Sequence, residues 1–232
     1  MTVTTDRKFT LYGYFRSSAS ARVRTVMALH EIPYTNHQVH LLKGEQRSKE
    51  YLAVNPSGTV PTLSITEADG SQWSVAQCVS IMEYLDEEYG GQSKVGYLLP
   101  RNARDRAMVR NIIGVLVSDL FPCLTSGTLK RLRSYGVDDA AWAKECSAAF
   151  VEALEGLLKR TSTSGKYCFG DSLTLADATF SPQMETVLRF APDVLPNYPT
   201  VYSIYQHVSQ LPQVVAADYK HQPDTPEELR AK

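Results

Sequence analysis

Phe9-Thr10-Leu11-Tyr12-Gly13-Tyr14-Phe15-Arg16-Ser17-Ser18-Ala19-Ser20-Ala21-Arg22-Val23-Arg24 is the stretch on which the fold of this chain turns. It begins aromatic and apolar and runs into small polar residues, the pattern of a short buried strand ending in a turn. Beyond the serines, Val23, Val26, Met27 and Ala28-Leu29-His30 recur at the spacing of an amphipathic helix, which Pro33 ends. Tyr34 to Leu42 then alternates loosely as a second strand. Strand, helix and strand in that order imply a parallel pair joined by a right-handed crossover.

The pattern continues outward from there. Lys49-Glu50-Tyr51-Leu52-Ala53 reads as a short helix ended by Asn55-Pro56. Val60-Pro61-Thr62-Leu63-Ser64-Ile65, a turn around Asp69-Gly70, and Gln72-Trp73-Ser74-Val75 read as a hairpin, and a helix starts near Gln77. The order β-α-β-α-β-β-α is the thioredoxin-like arrangement. Gly90-Gly91-Gln92-Ser93-Lys94, closely followed by Pro100, breaks the composition and marks a linker. Helical patterns follow at about Arg101 to Leu132, Asp138 to Lys159, Leu175 to Phe190 and Thr200 to His207. The expected fold is thus an α+β thioredoxin-like domain over residues 1–90, then an all-α helical bundle over 98–232. Thr174-Leu175-Ala176-Asp177 has the spacing of a capping box with a structural role.

Composition narrows the function classes. The chain has 232 residues and a net charge of -1, so no overall field draws it to nucleic acid or an anionic membrane. The start, Met1 to Lys8, lacks an apolar core, which argues against a secretory signal. No apolar run approaches the roughly 18 residues that span a bilayer. Cys78, Cys123, Cys146 and Cys168 form no C-x-x-C and have no histidine at metal spacing, so neither a disulfide scaffold nor a metal site is expected. His37 and His40 are weak metal candidates at a polar strand edge. A cytoplasmic location follows as the default.

The chemistry centres on the first helix. Redox thioredoxin folds carry two cysteines in the turn after the first strand; here that place holds Ser17-Ser18-Ala19-Ser20. A helix N-terminus offers unpaired N–H groups and partial positive charge, which favour an anion. A serine hydroxyl there can donate to a thiolate and lower the pKa of that sulfur. Taken alone, the same serines read as the cap of a helix more often than as a catalyst.

Tyr12 to Arg24, with Phe15-Arg16-Ser17-Ser18 and Arg22-Val23-Arg24, resembles the signature of the zeta-class glutathione transferases, the class also known as maleylacetoacetate isomerases. Asn55-Pro56 with Val60-Pro61-Thr62-Leu63, Gln77 with Ile81-Met82-Glu83-Tyr84-Leu85, and Leu98-Leu99-Pro100 extend the likeness. So do Tyr167-Cys168-Phe169-Gly170-Asp171, Asn197-Tyr198-Pro199-Thr200 and the tail Gln222-Pro223-Asp224-Thr225-Pro226-Glu227-Glu228-Leu229. The resemblance implies the glutathione transferase fold, glutathione as cofactor and a homodimer. It implies Ser17 as the catalytic serine facing the sulfur, with Ser18 beside it. Val60 would pair its backbone with the cysteinyl part, before a cis Pro61. Gln77 and Cys78 would hold the γ-glutamyl end, and Gln46 would make a further contact. Arg16, Arg22 and Arg189 would take a small dicarboxylate substrate, with Arg22 also catalytic.

Several positions depart from the family pattern. Ala19 stands where the family has cysteine, Ala21 where it has an aromatic or histidine, and Cys78 where it has serine. Phe121, Thr125 and Ser126 replace polar residues. The implied activity is the isomerisation of maleylacetoacetate to fumarylacetoacetate in tyrosine and phenylalanine catabolism. The alternatives are a detoxifying transferase acting on electrophiles such as α-haloacids, and a non-catalytic glutathione-binding or scaffold protein. A glutathione-dependent reductase would need a cysteine where Ala19 stands.

Overall fold

A computed structural model describes residues 6–231 of the chain. The opening residues read above for a secretory signal lie, up to Thr5, outside them. Two compact units form: one runs to Leu98 and resumes at Pro212, the other is Leu99–Leu211.

The first unit contains β1 (Lys8–Gly13), α1 (Ser18–Leu29), β2 (Thr35–Gln38), α2 (Lys49–Val54), β3 (Thr62–Thr66), β4 (Gln72–Ala76) and α3 (Cys78–Tyr89). The sheet order is β2-β1-β3-β4. β1 and β2 are parallel, as the crossover requires, while β3 runs antiparallel to both β1 and β4. The second strand is shorter than expected. It ends at Gln38 because the chain then winds through single 3₁₀ turns at Leu41–Lys43 and Glu45–Arg47, joined by Gly44 at φ 77°.

Leu11, Leu63 and Ile65 of the sheet, Val23, Val26 and Met27 of α1, and Ile81, Met82 and Leu85 of α3 are wholly buried. Alternation on the strands and the i, i+3, i+4 spacing on the helices bring these apolar groups to one layer. α1 closes in a Schellman-type turn. Ile32 N–H donates to Met27 O at 2.8 Å and Glu31, at φ 54°, donates to Ala28 O at 3.3 Å. Pro33 then prevents any continuation.

The second unit opens with α4 (Ala103–Gly114), capped by the Asn102 side chain. It runs through a π-helical stretch, Val115–Leu120, into the single turn α5 (Phe121–Cys123). The sequence implied one helix to Leu132; the structure interrupts it. Thr125 Oγ1 accepts from Thr128 N–H at 3.1 Å and starts a new helix, α6 (Ser126–Ser134). The stretch Ala103–Ser134 also corrects the expectation about apolar runs. An 18-residue window in it has mean hydropathy 1.6, the measure of a span by length and composition, and its Val109, Ile112, Ile113, Leu116 and Leu120 are buried in the protein.

α7 (Asp139–Thr161), α8 (Leu175–Phe190) and α9 (Pro199–Val208) pack against one another. The expected role of Thr174-Leu175-Ala176-Asp177 is seen: the Asp177 carboxylate accepts from the N–H of Thr174 at 2.8 Å and its hydroxyl at 2.9 Å. It also accepts from the N–H of Cys168 at 2.7 Å.

The C-terminal boundary needs correction. Residues 98–232 were expected to form one helical domain, but the chain from Pro212 returns to the first unit. There α10 (Pro212–Ala217) packs against α1 and buries Val214 and Ala217.

Candidate active site

The strand register gathers the site residues. Tyr12 lies opposite Thr62, and Thr62 opposite Ala76, in one row across three strands. Three segments therefore leave the sheet at the same end: the turn after Gly13 that leads to Ser17, the Val60-Pro61 pair before Thr62, and Gln77 after Ala76. Gln38, at the end of β2, is level with Gly13, so the chain toward Gln46 leaves from the same end.

Ser17 is the N-cap of α1. Its Oγ accepts from Ser20 N–H at 3.1 Å, and its own N–H donates to Tyr14 O at 3.0 Å. The capping reading is therefore correct, and it supports chemistry as well. A hydroxyl fixed by accepting from the backbone keeps its proton for donation to an anion beyond the helix start. The N–H groups of Ser18 and Ala19, in the first turn, have no partner within the helix and reinforce that anion preference. Ser20 fits beneath because residue 13 is glycine. A Cβ there would stand 3.2 Å from Ser20 Oγ.

The Val60–Pro61 peptide bond is cis, as expected. The loop before it is held by groups that the sequence reading did not single out for this role. Asn55 Nδ2 donates to Thr59 O at 2.8 Å and Thr62 Oγ1 at 3.0 Å, while Asn55 Oδ1 accepts from Ser57 N–H at 3.1 Å. The Tyr51 hydroxyl donates to Thr59 O at 2.6 Å. Gly58 touches Gln46: a Cβ on Gly58, already at φ +59°, would come within 2.9 Å of Gln46 O. Gln46 thus sits against the loop that carries Val60, and its Oε1 is buried without a hydrogen-bond donor in the protein.

Gln77 has φ 71° and ψ 117°, a conformation unfavourable for any side-chain-bearing residue, and its side chain is exposed. It caps nothing with its side chain. Strain kept at an exposed amide directly before a helix start suits a ligand-holding role. Cys78, the first residue of α3, is buried and accepts from Arg22 Nη1 at 3.4 Å. Arg22, expected to meet the substrate, has no exposed surface here; through Cys78 it ties α1 to the first turn of α3. Arg16 is exposed on the turn before Ser17, and Arg189 is exposed in the last turn of α8. Ala19 and Ala21 are buried.

Tyr14 packs on Phe15 and His40 at 4.6 and 5.4 Å, and burial raises its phenol pKa despite nearby Arg16. His37 stacks on Tyr12. Among the described residues no cluster of metal-ligating side chains occurs.

Known proteins match this chain in sequence and fold. Residues 16–88 match the family described as glutathione S-transferase, N-terminal domain, and residues 136–218 the glutathione S-transferase C-terminal domain. Maleylacetoacetate isomerase maiA of Aspergillus fumigatus is 40% identical, over 97% of this chain and 96% of its own length. A crystal structure of maleylacetoacetate isomerase from Anaeromyxobacter dehalogenans, with glutathione bound in its active site, aligns with a TM-score of 0.84 at 32% identity, covering 96% of this chain and all of that one. Another structure of that isomerase holds dicarboxyethyl glutathione and citrate. A maleylpyruvate isomerase described as a bacterial zeta-class glutathione transferase aligns at 0.83 with 31% identity, over 94% of this chain and all of its own. Matched over nearly its whole length at 31% identity and more, this chain belongs to the zeta-class glutathione transferases, the family of the maleylacetoacetate isomerases.

Proposed function

We propose that this enzyme isomerises maleylacetoacetate to fumarylacetoacetate with glutathione as cofactor. The observation that supports it most is Ser17: a capping hydroxyl with its proton free, at the sheet end where Val60-Pro61 and Gln77 converge. The residues present suit glutathione. Ser17 and the first-turn N–H groups favour a thiolate, Gln46 has a buried acceptor awaiting a donor, and Gln77 holds an exposed amide at a helix start.

When bound, glutathione would supply a nucleophilic sulfur, the chemistry of reversible addition to an activated double bond that frees rotation about it. Ser17 donates its proton as a hydrogen bond toward the sulfur and holds it ionised at neutral pH. The start of α1 adds its partial positive charge. Val60 presents backbone groups to an added strand-like peptide. Gln77 and the N–H groups at the start of α3 take the γ-glutamyl carboxylate; the Cys78 thiol is a weak donor, so the backbone carries more of this contact. Arg22 braces both helix starts from below. Arg16, whose paired donors match a carboxylate, orients the substrate. The same role for Arg189 rests on family resemblance, as do the homodimer and the place in tyrosine and phenylalanine catabolism; the cytoplasmic location rests on the cysteine pattern alone.

The test is to follow purified protein with maleylacetone, an accessible analogue, with and without glutathione. Glutathione-dependent isomerisation that Ser17→Ala abolishes supports the isomerase. Conjugation of α-haloacids without isomerisation would make the enzyme a detoxifying transferase. Glutathione binding without either reaction would make it a binding protein.

A further inference from the structure

The tail from Pro212 reaches the turn that aims Ser17. Asp224 Oδ2 accepts from the N–H of Phe15 at 2.9 Å. Arg24 Nη2 donates to the carbonyl of the same residue at 3.1 Å, and Arg24 Nε donates to Ala217 O, at the end of α10, at 3.0 Å. Phe15 is thereby held on its N–H by one charged group and on its C=O by another, two residues before Ser17. Both charged groups make charge-assisted hydrogen bonds, the stronger kind.

We propose that Asp224 and Arg24 are positioning residues for the thiol site, and that the C-terminal tail sets the direction in which Ser17 presents its hydroxyl. This rests on Ser17 acting on the glutathione sulfur. Rotation of the peptides flanking Phe15 passes through Arg16 into Ser17, because Ser17 N–H is itself bound to Tyr14 O at 3.0 Å. The whole turn from Tyr14 to Ser17 therefore moves as one piece. Arg24 is buried at 3% exposure, a costly place for a cation that only filled space. Burial lowers its pKa to about 10, against the opposing influence of Tyr34, Asp224 and Asp218. The two grips also depend on each other, since the Asp224 carboxylate helps Arg24 to stay charged.

The experiment compares wild type, Asp224→Ala, Asp224→Asn and Gly90→Ala in three readouts. These are maleylacetone kinetics, the thiol pKa of bound glutathione, and amide hydrogen exchange at Phe15. Misplacing a reacting group by around 1 Å costs up to about 100-fold, so Asp224→Ala should lower kcat by about tenfold or more. It should also raise the bound thiol pKa, with little change in the KM for glutathione. Asp224→Asn keeps an acceptor for Phe15 N–H and should recover most of kcat. Gly90→Ala crowds Asp86 O and Tyr97 Cδ1, each 2.6 Å from the new Cβ, in the same unit without touching Phe15, Arg24 or Asp224. It should lower the melting temperature and leave the thiol pKa alone. Equal kcat and thiol pKa in Asp224→Ala and wild type would overturn the proposal, as would an equal loss of both in Gly90→Ala. A wild-type enzyme that does not lower the thiol pKa would instead refute the role of Ser17. Phe15 exchange would then still report the grip: faster in Asp224→Ala if it exists, unchanged if it does not.

Discussion

Replacing Ser17 by alanine removes two things at once, and the structure separates their sizes. The first is the cap: Oγ no longer accepts from Ser20 N–H at 3.1 Å, which costs about 1 kcal/mol and about 2–4 °C in melting temperature for a chain of this size. The second is the hydrogen bond to a bound thiolate. A bond to a charged group contributes about 1.5–3 kcal/mol, and about 1.4 kcal/mol corresponds to one pKa unit, so the thiol of bound glutathione should titrate about 1–2 units higher. The assay is the ultraviolet absorbance of bound thiolate against pH, beside a thermal melt. Ser17→Asp separates the two effects, because aspartate caps a helix well but brings a negative charge and no proton to donate. It should keep the melting temperature near wild type and raise the thiol pKa at least as far as Ser17→Ala does. An unchanged thiol pKa in Ser17→Ala, with the melting temperature lowered as expected, would refute the reasoning and leave Ser17 as a cap alone.

Gln77→Gly should relieve the backbone at φ 71° and leave the fold as stable or more so, yet raise the KM for glutathione about two- to tenfold through loss of one side-chain hydrogen bond; steady-state kinetics beside a denaturant titration checks both. Glu155 carries a pH-dependent share of stability. Burial pushes its carboxyl up, but the N–H of Val201, the hydroxyl and N–H of Thr200, and Lys159 together leave it below its ordinary 4.5. The folded carboxylate therefore holds its proton less tightly than the unfolded one. Its contribution is present above the ordinary glutamate value and is lost as pH falls through the lowered folded value. Glu155→Gln should cost about 1–3 kcal/mol at pH 7, and the gap from wild type should close in acid, as unfolding titrations at both pH values will show. Gly90→Ala would place a Cβ 2.6 Å from both Asp86 O and Tyr97 Cδ1. It should destabilise by about 1–3 kcal/mol, measured by denaturant unfolding, with the KM for glutathione unchanged.

The strand, turn and helix around Ser17 were legible because local signals agreed: aromatic alternation, capping residues and apolar spacing. The cis Pro61 and the Asp177 cap were legible too, the first through family likeness and the second through spacing. Part of what escaped depends on partners distant in sequence. Arg22 and Arg24 look like surface residues, but α1 is covered by α3 on one side and α10 on another, so even its polar residues are buried. Nothing in the short run Val214-Val215-Ala216 announces that it covers α1 rather than continuing the bundle. The break at Leu124-Thr125 was hidden because the apolar pattern runs on across it, and only the Thr125 hydroxyl, bonded to Thr128 N–H, reveals a new helix start. Asn55 and Tyr51 were read as parts of a helix end, whereas their polar atoms shape the loop that carries Val60.

The most direct measurement is a glutathione balance during turnover of maleylacetone. The enzyme should convert many equivalents of substrate to the fumaryl isomer for each glutathione present, while free thiol returns to its starting amount. Consumption of one glutathione per substrate would contradict the isomerase, and isomerisation that proceeds equally without glutathione would contradict a borrowed sulfur held at Ser17.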